Sequence, residues 1–298
     1  MLNLDAKYIL NTKINTGLDM KDVLSVIENK YLTDGNTHYV CTTNPEFIML
    51  AQQDKEFLDI INNSDLSLPD GAGVLQAIDY LDDVSHYEKN VLYPIRCLLK
   101  GFKIGLGSFK NDQYVRRKIR GVELVDNLCQ LSSEKRYSVF LLGGRLKDKR
   151  GRLIESTDKD IAELAAQKLT EKYPGINIIG ASSKFHRSAQ DDEITLRYIK
   201  DCMSKHNTSH LDFLFVAYEQ GHQEKWIVRN AHKINAKVSI GVGSTLDYMA
   251  GTMKYSPNIY NRLNLEWLYK LITQPWRLKR IINAFPLFPF RVFIDSLQ

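Results

Sequence analysis

Short runs rich in Val, Ile, Leu and Phe recur along this chain, most of them followed by a stretch with helical apolar spacing. That alternation constrains the fold more than any other feature. THYVCT at 37–42, LSLP at 66–69, YSVFLL at 137–142, INIIG at 176–180, LDFLFVA at 211–217 and AKVSIGV at 236–242 read as strands. Helical patterns are read over 44–63, 121–132, 157–172, 188–206 and 222–234. Strands that are apolar on both faces need cover on both sides, and crossover helices supply it. The expected fold is therefore α/β: a Rossmann-like, mostly parallel sheet with helices on both faces, plus a C-terminal helical appendage. Ligands of such sheets sit beyond the C-terminal ends of the strands, so residues there are the first candidates for function.

Two segments depart from the alternation. Residues 81–112 mix bases, apolar residues and glycines, and read as an insertion forming a helical hairpin or a flap. Residues 262–284 read as two amphipathic helices divided at Pro275, a residue suited to a first helical turn. The closing stretch IINAFPLFPFRVFI is too short to span a bilayer, and is expected to lie on a membrane surface or pack under the body. The organisation expected is a Rossmann-like α/β domain over 1–251, with the insertion near 81–112, and a basic, aromatic appendage over 252–298.

Charge is unevenly placed. Residues 89–120 hold nine Lys and Arg against one acid, and 252–298 hold seven against two, while the whole chain carries only +5. Two basic segments on an acidic body point to an anionic partner such as lipid headgroups, diphosphates or nucleic acid. No uncharged apolar run approaches the roughly 20 residues of a membrane span. The N-terminus lacks the basic and apolar regions of a secretory signal. Cys41, Cys97, Cys129 and Cys202 form no CxxC pair, which favours a reduced, cytoplasmic setting and no cysteine-based zinc site.

At the strand ends, Thr42-Thr43-Asn44-Pro45-Glu46 has the form of a helix start, with Asn44 as N-cap, and a helix start also offers free amides to an anion. In Pro69-Asp70-Gly71-Ala72-Gly73, a carboxylate on tight backbone could serve as a general base or simply form an Asp-Gly turn. Gly143-Gly144 would let backbone approach a phosphate. Gly241-Val242-Gly243-Ser244-Thr245, with Asp247 nearby, lacks the third glycine of the dinucleotide fingerprint. Gln223 could hydrogen-bond a sugar or a leaving diphosphate. Asp158-Lys159-Asp160 reads better as a helix start than as a metal site, and the histidines show no HExxH spacing, so no metal and no cofactor is expected.

These pieces occur in an order that resembles one family. ThrThrAsnProGlu, ProAspGly, ArgGlyValGluLeu, LeuLeuGlyGly, GlnGluLysTrpIle, GlyValGlySerThrLeuAspTyrMetAlaGly and LeuGluTrpLeuTyrLys…GlnProTrpArgLeuLysArg follow one another. The chain is similar, over about 6–80 and 113–285, to the WecG/TagA/CpsF glycosyltransferases. The resemblance implies inverting, metal-independent transfer from a UDP-sugar, such as UDP-N-acetylmannosamine, to a polyprenyl-diphosphate-linked GlcNAc acceptor. It implies work at the inner face of the cell membrane in cell-wall polymer or surface polysaccharide synthesis. It also implies an appendage that docks on an anionic membrane and completes the site.

Carried over by position, Asp70 is the base, Thr42 and Asn44 line the donor sugar, and Gln223 sits beside them. The cations of the appendage are Lys270, Arg277 and Arg280, which share one face within about 80° if helical phase survives Pro275. Lys118 stands where the family has an arginine, with Arg117 and Arg120 as neighbours that could substitute; lysine lacks the bidentate fork. Trp267, Tyr269, Trp276, Phe285, Phe288, Phe290 and Phe293 are expected to seat the tail at the interface, and an exposed apolar face there would favour homo-oligomers. Two other classes suit parts of the pattern. One is a nucleic-acid-binding module, for which no helix-turn-helix, zinc finger or RNP motif appears; the other is an NAD enzyme, against which the incomplete fingerprint argues.

Overall fold

The computed structural model describes residues 5–107, 112–144 and 160–298. A six-stranded, all-parallel sheet forms the centre. Its strands are β3 (His38–Thr43), β4 (Leu66–Pro69), β5 (Ser138–Gly143), β6 (Asn177–Ser182), β7 (Leu211–Ala217) and β8 (Ala236–Gly241), in the order β4-β3-β8-β7-β5-β6. The first two strands of the chain, β1 (Ala6–Ile9) and β2 (Thr12–Asn15), make a separate antiparallel hairpin. It is tied to the sheet edge by Asn15, whose side chain accepts from the Ser67 amide at 2.8 Å.

Period-two alternation explains the layers. In β5 and β7, Val139, Leu141, Phe213 and Phe215 face one cluster, which holds residues of α1 (Met20–Val26), α7 (Gly121–Lys135) and α8 (Ile161–Lys172). Phe140, Leu142, Leu214 and Val216 face another, built with α9 (Asp192–Lys205) and α10 (His222–Asn230). Helices thus cover both faces, as the fully apolar strands require. The pattern expected as one helix over 44–63 is two, α2 (Pro45–Ala51) and α3 (Lys55–Asn63). Asp54 starts the second by accepting from the Phe57 amide, and a Ser, Asp or Asn cap resets a helix wherever it can hold such a bond.

The region read as an insertion is helical. α4 (Ala72–Ser85) begins just after Asp70, and α5 (Tyr93–Gly107) follows it. Arg96 lies over the Tyr87 ring, Lys100 pairs with Asp83 at 2.7 Å, and Gly101 faces Tyr80. The rising numbers on α5 meet falling numbers on α4, so the two run antiparallel. α6 (Asp112–Arg117) then leads the chain back to the sheet, where Arg117 grips Asp79 through both guanidinium nitrogens at 3.0 Å.

The C-terminal segment is folded against the body. α12 (Asn258–Arg262) and α13 (Glu266–Thr273) lead to a tight turn at Pro275–Arg277, then α14 (Leu278–Ile282) and α15 (Phe288–Ser296). Phe288 and Val292 of α15 are buried with α4 and α5, and the Tyr93 hydroxyl donates to the Ser296 carbonyl at 2.8 Å. The closing stretch packs on the body through Phe288 and Val292, so Phe288 is core and unavailable to an interface.

Candidate active site

A cleft of about 510 Å³ opens where β3, β4, β7 and β8 end, and the C-terminal segment forms its far wall. Thr42, Asn44 and Asp70 line one side. Parallel pairing sets Thr43 beside Pro69, and the Asp70 amide donates to the Thr43 carbonyl at 2.9 Å, so Asp70 leaves β4 directly beside Asn44. Gly71 follows with φ of 110°, a conformation that only glycine takes without strain. Asn44 caps α2, its side chain accepting from the Phe47 amide at 3.0 Å, and it lines the cleft as well.

Among the described residues, no side chain hydrogen-bonds the Asp70 carboxyl. Burial pushes its pKa up to about 6; Lys270 opposes this, Glu266 adds to it, and Arg120 and Lys118 oppose it more weakly. A carboxyl so placed is poised between proton acceptor and donor near neutrality.

Lys118, read as a weak substitute for an arginine, is buried and donates to Glu266 of α13 at 2.9 Å. Arg120 approaches the same carboxylate at 3.6 Å and bonds Glu123 at 2.6 Å. Burial disfavours the Glu266 carboxylate, but Arg120 and Lys118 outweigh it and hold its pKa below the ordinary value. Arg117, the other candidate substitute, is engaged with Asp79.

On the opposite wall stand Lys270, Arg277 and Arg280. Helical phase does not survive between them: Gln274, at φ −138° and ψ 65°, breaks the segment before Pro275. All three still line the cleft. Arg277 donates to Ser244 Oγ at 2.9 Å, and Arg280 bonds Glu46 at 2.6 Å and Gln220 at 2.8 Å. Burial, and then Arg280, press the Arg277 pKa downward. Tyr269 and Trp276 line the cleft too, whereas Trp267 packs on Phe285 with centroids 5.3 Å apart.

Gln223 is buried and fully engaged on one edge. Its Oε1 accepts from the Gly243 amide at 2.9 Å, and its Nε2 donates to Glu224 Oε1 at 2.7 Å. Glu224 Oε2 accepts from the Gly221 amide at 2.7 Å. Burial raises the Glu224 carboxyl to about 7, against hydrogen bonds from Gln223 and the backbone. Gly241 leaves room for this pair: a Cβ there would stand 2.4 Å from Glu224 Oε1, so the Gln223 and Glu224 side chains would have to shift. From the sequence, Glu224 as a first-turn residue could equally lie on the surface, and it is not singled out; the structure buries it beside Gln223.

Gly143 and Gly144 both have φ of 90°. A Cβ on Gly143 would meet Tyr218 at 2.8 Å, and one on Gly144 would meet Ile161 at 2.9 Å. Their close approach is thus to the chain itself, and only Gly144 borders the cleft. Gly243 and Asp247 line it, Asp247 from the first turn of α11 (Thr245–Met249). Asp158 and Lys159 lie outside the described residues; Asp160 caps α8 by accepting from the Glu163 amide at 3.1 Å. Among the described residues, no group of three His, Cys, Asp or Glu side chains is placed to hold a metal ion.

A parallel sheet with a carboxyl at one strand end, faced by cations from a C-terminal segment, is suited to displacement at a centre whose leaving group is anionic. That is the chemistry of group-transferring enzymes on activated, phosphorylated donors. The chain belongs to the glycosyl transferase WecG/TagA/CpsF family, whose model matches residues 7–91 and 97–298. The matched ranges take in most of 81–112, leaving 92–96 between them. It is therefore a glycosyltransferase. It is 27% identical over 265 residues to the N-acetylglucosaminyldiphosphoundecaprenol N-acetyl-β-D-mannosaminyltransferase of Bacillus subtilis (strain 168), covering 89% of this chain and 83% of that one. The enzymes of the same name from Staphylococcus aureus strains MRSA252 and NCTC 8325 are 24% and 25% identical, each covering 94% of this chain and 90% of theirs.

Proposed function

We propose that this chain transfers an N-acetylmannosaminyl or related hexosyl group from a UDP-sugar to a polyprenyl-diphosphate-linked GlcNAc acceptor, in cell-wall polymer or surface polysaccharide synthesis. The observation that carries it is Asp70, set at the mouth of the sheet with no bonded side-chain partner among the described residues and faced across the cleft by Lys270, Arg277 and Arg280. The Asp70 carboxylate takes the proton of the acceptor hydroxyl. The freed oxygen attacks the anomeric carbon, the bond from that carbon to the diphosphate oxygen breaks, and UDP leaves with its electron pair. Arg277, Arg280 and Lys270 meet the charge that grows on the diphosphate, which fixed cations in a shielded cleft do without help from a metal. Thr42 and Asn44 face the donor sugar. Gln223 holds the Gly243 turn that shapes this wall.

A single displacement inverts the anomeric centre. On an α-linked nucleotide sugar it gives a β product, the configuration in the names of the relatives. Among the described residues no helix is long and apolar enough to cross a membrane, and the lipid-linked acceptor is met by peripheral docking of the basic, aromatic segment on the inner face of the cell membrane. The test is product analysis with UDP-N-acetylmannosamine and a short-chain lipid-diphosphate-GlcNAc acceptor. A β-linked disaccharide on the lipid is expected, and an α-linked product would overturn the single displacement.

A further inference from the structure

α5 presents to solvent a stripe that a water-facing helix does not normally carry. Leu92, just before the helix, and Ile95, Leu99, Phe102 and Leu106 follow one another at steps of three and four and are 56–71% exposed. Tyr93 and Cys97, at a four-residue step, are buried against α4 and α15. At about 100° per residue, the exposed stripe occupies an arc of roughly 80° on the side away from that core. Residues 89–107 hold Lys89, Arg96, Lys100 and Lys103 and no acid. Lys103 and Arg96 lie along one margin of the apolar arc by the same geometry, while Lys100 sits nearer the core face, paired with Asp83.

We propose that this outer face of α5 seats the protein in an anionic lipid surface. Apolar side chains enter the boundary between headgroups and acyl chains, and the flanking cations meet anionic headgroups. With 15 residues and three bases, α5 is too short and too charged to span. Its neighbour α15 extends the face, with Phe290 and Ile294 exposed one turn apart while Phe288 and Val292 hold it to the same core. Because α5 runs antiparallel to α4, and α4 starts two residues after Asp70, the stripe leads toward the cleft mouth. A lipid-bound face there brings a lipid-linked acceptor to Asp70 along the membrane plane. The lipid contact stands on its own residues; only its purpose rests on the proposed acceptor.

The experiment is co-sedimentation of the full chain with vesicles of equal parts phosphatidylglycerol and phosphatidylcholine, for wild type, Leu99→Glu/Phe102→Glu, Lys103→Glu and Ile194→Glu. Ile194 is an exposed apolar residue on α9 and serves as the control. The proposal expects the double variant to lose binding at least tenfold, Lys103→Glu to lose several-fold with the loss shrinking at high salt, and Ile194→Glu to match wild type. Thermal unfolding should be unchanged in all three. Vesicle binding unaffected by the double variant overturns the proposal. So does a wild type that ignores vesicles and sediments as a dimer that the double variant disperses, because a second copy would then cover the face. Absence of transfer to any acceptor, with vesicle binding still dependent on Leu99 and Phe102, would sink the proposed reaction and leave this surface standing.

Discussion

Lys118 Nζ donates to Glu266 Oε1 at 2.9 Å, and this bond joins the sheet body to the C-terminal segment beside Asp70. Both charges are largely removed from water, and Arg120 leans on the same carboxylate. The pair therefore does two things. It docks α13, and it adds to the field in which Asp70 ionises, after burial and Lys270.

Glu266→Ala should destabilise the protein by about 3 kcal/mol, because it strands a buried ammonium. Thermal unfolding checks this. Lys118→Met/Glu266→Leu should recover most of that loss, since an apolar pair of similar size needs no charge compensation. Glu266 has a lowered pKa in the folded state, so the stability it contributes is present above the ordinary glutamate value and is lost as the pH falls below it. The wild type should therefore lose more stability than the double variant in moderate acid.

Asp70→Asn should lower kcat by about 10²–10⁴, the range for a general base. In the wild type, kcat/KM should fall below about pH 6 as the carboxyl takes up a proton. The stability effect has the opposite sense. A carboxyl whose folded pKa is raised favours folding while protonated, and that advantage disappears as pH rises through about 6. Asp70→Asn should thus unfold at a higher temperature than wild type at pH 8, with the gap closing below pH 4.

Gln223→Ala removes the acceptor of the Gly243 amide and the donor to Glu224. Leaving buried polar groups unpaired costs about 1–3 kcal/mol each. A clear fall in melting temperature is expected together with weaker donor binding, measured as a raised KM for the nucleotide sugar.

Arg277 and Arg280 should separate by type of substitution. Arg277→Ala should lower kcat/KM about 10²-fold, the scale of losing one donor to a developing charge. Arg277→Lys should fall between that variant and wild type, because the charge is kept and the planar fork is lost. Arg280→Ala should also loosen the segment, since Arg280 bridges it to Glu46 and Gln220. Limited proteolysis after α13 reads that loosening.

The central sheet was legible because its inner strands, β5 and β7 above all, are short and almost wholly apolar, and β7 was bounded to the residue at Leu211–Ala217. Asp70 and Asn44 were legible for a related reason, since strand ends are where such a sheet concentrates its ligands. α5 was not. Helical patterns are read from one polar face, and here the face that meets solvent is itself apolar, so the period is masked. The β1–β2 hairpin was missed because AKYI and TKIN each mix a lysine with polar and apolar residues and lack the apolar run that marks the core strands. Lys118 could be placed by motif but not interpreted, because its partner Glu266 lies 148 positions away and only folding brings the two together.

The most direct test of the account is acceptor-dependent UDP release, measured over a panel of UDP-sugars with a soluble polyprenyl-diphosphate-GlcNAc analogue, for wild type and Asp70→Asn. The account predicts release that requires both donor and acceptor, peaks with an N-acetylhexosamine donor, and collapses in the variant. Release that Asp70→Asn leaves intact would contradict Asp70 as the base, and the absence of acceptor-dependent release from every donor would contradict the proposed reaction.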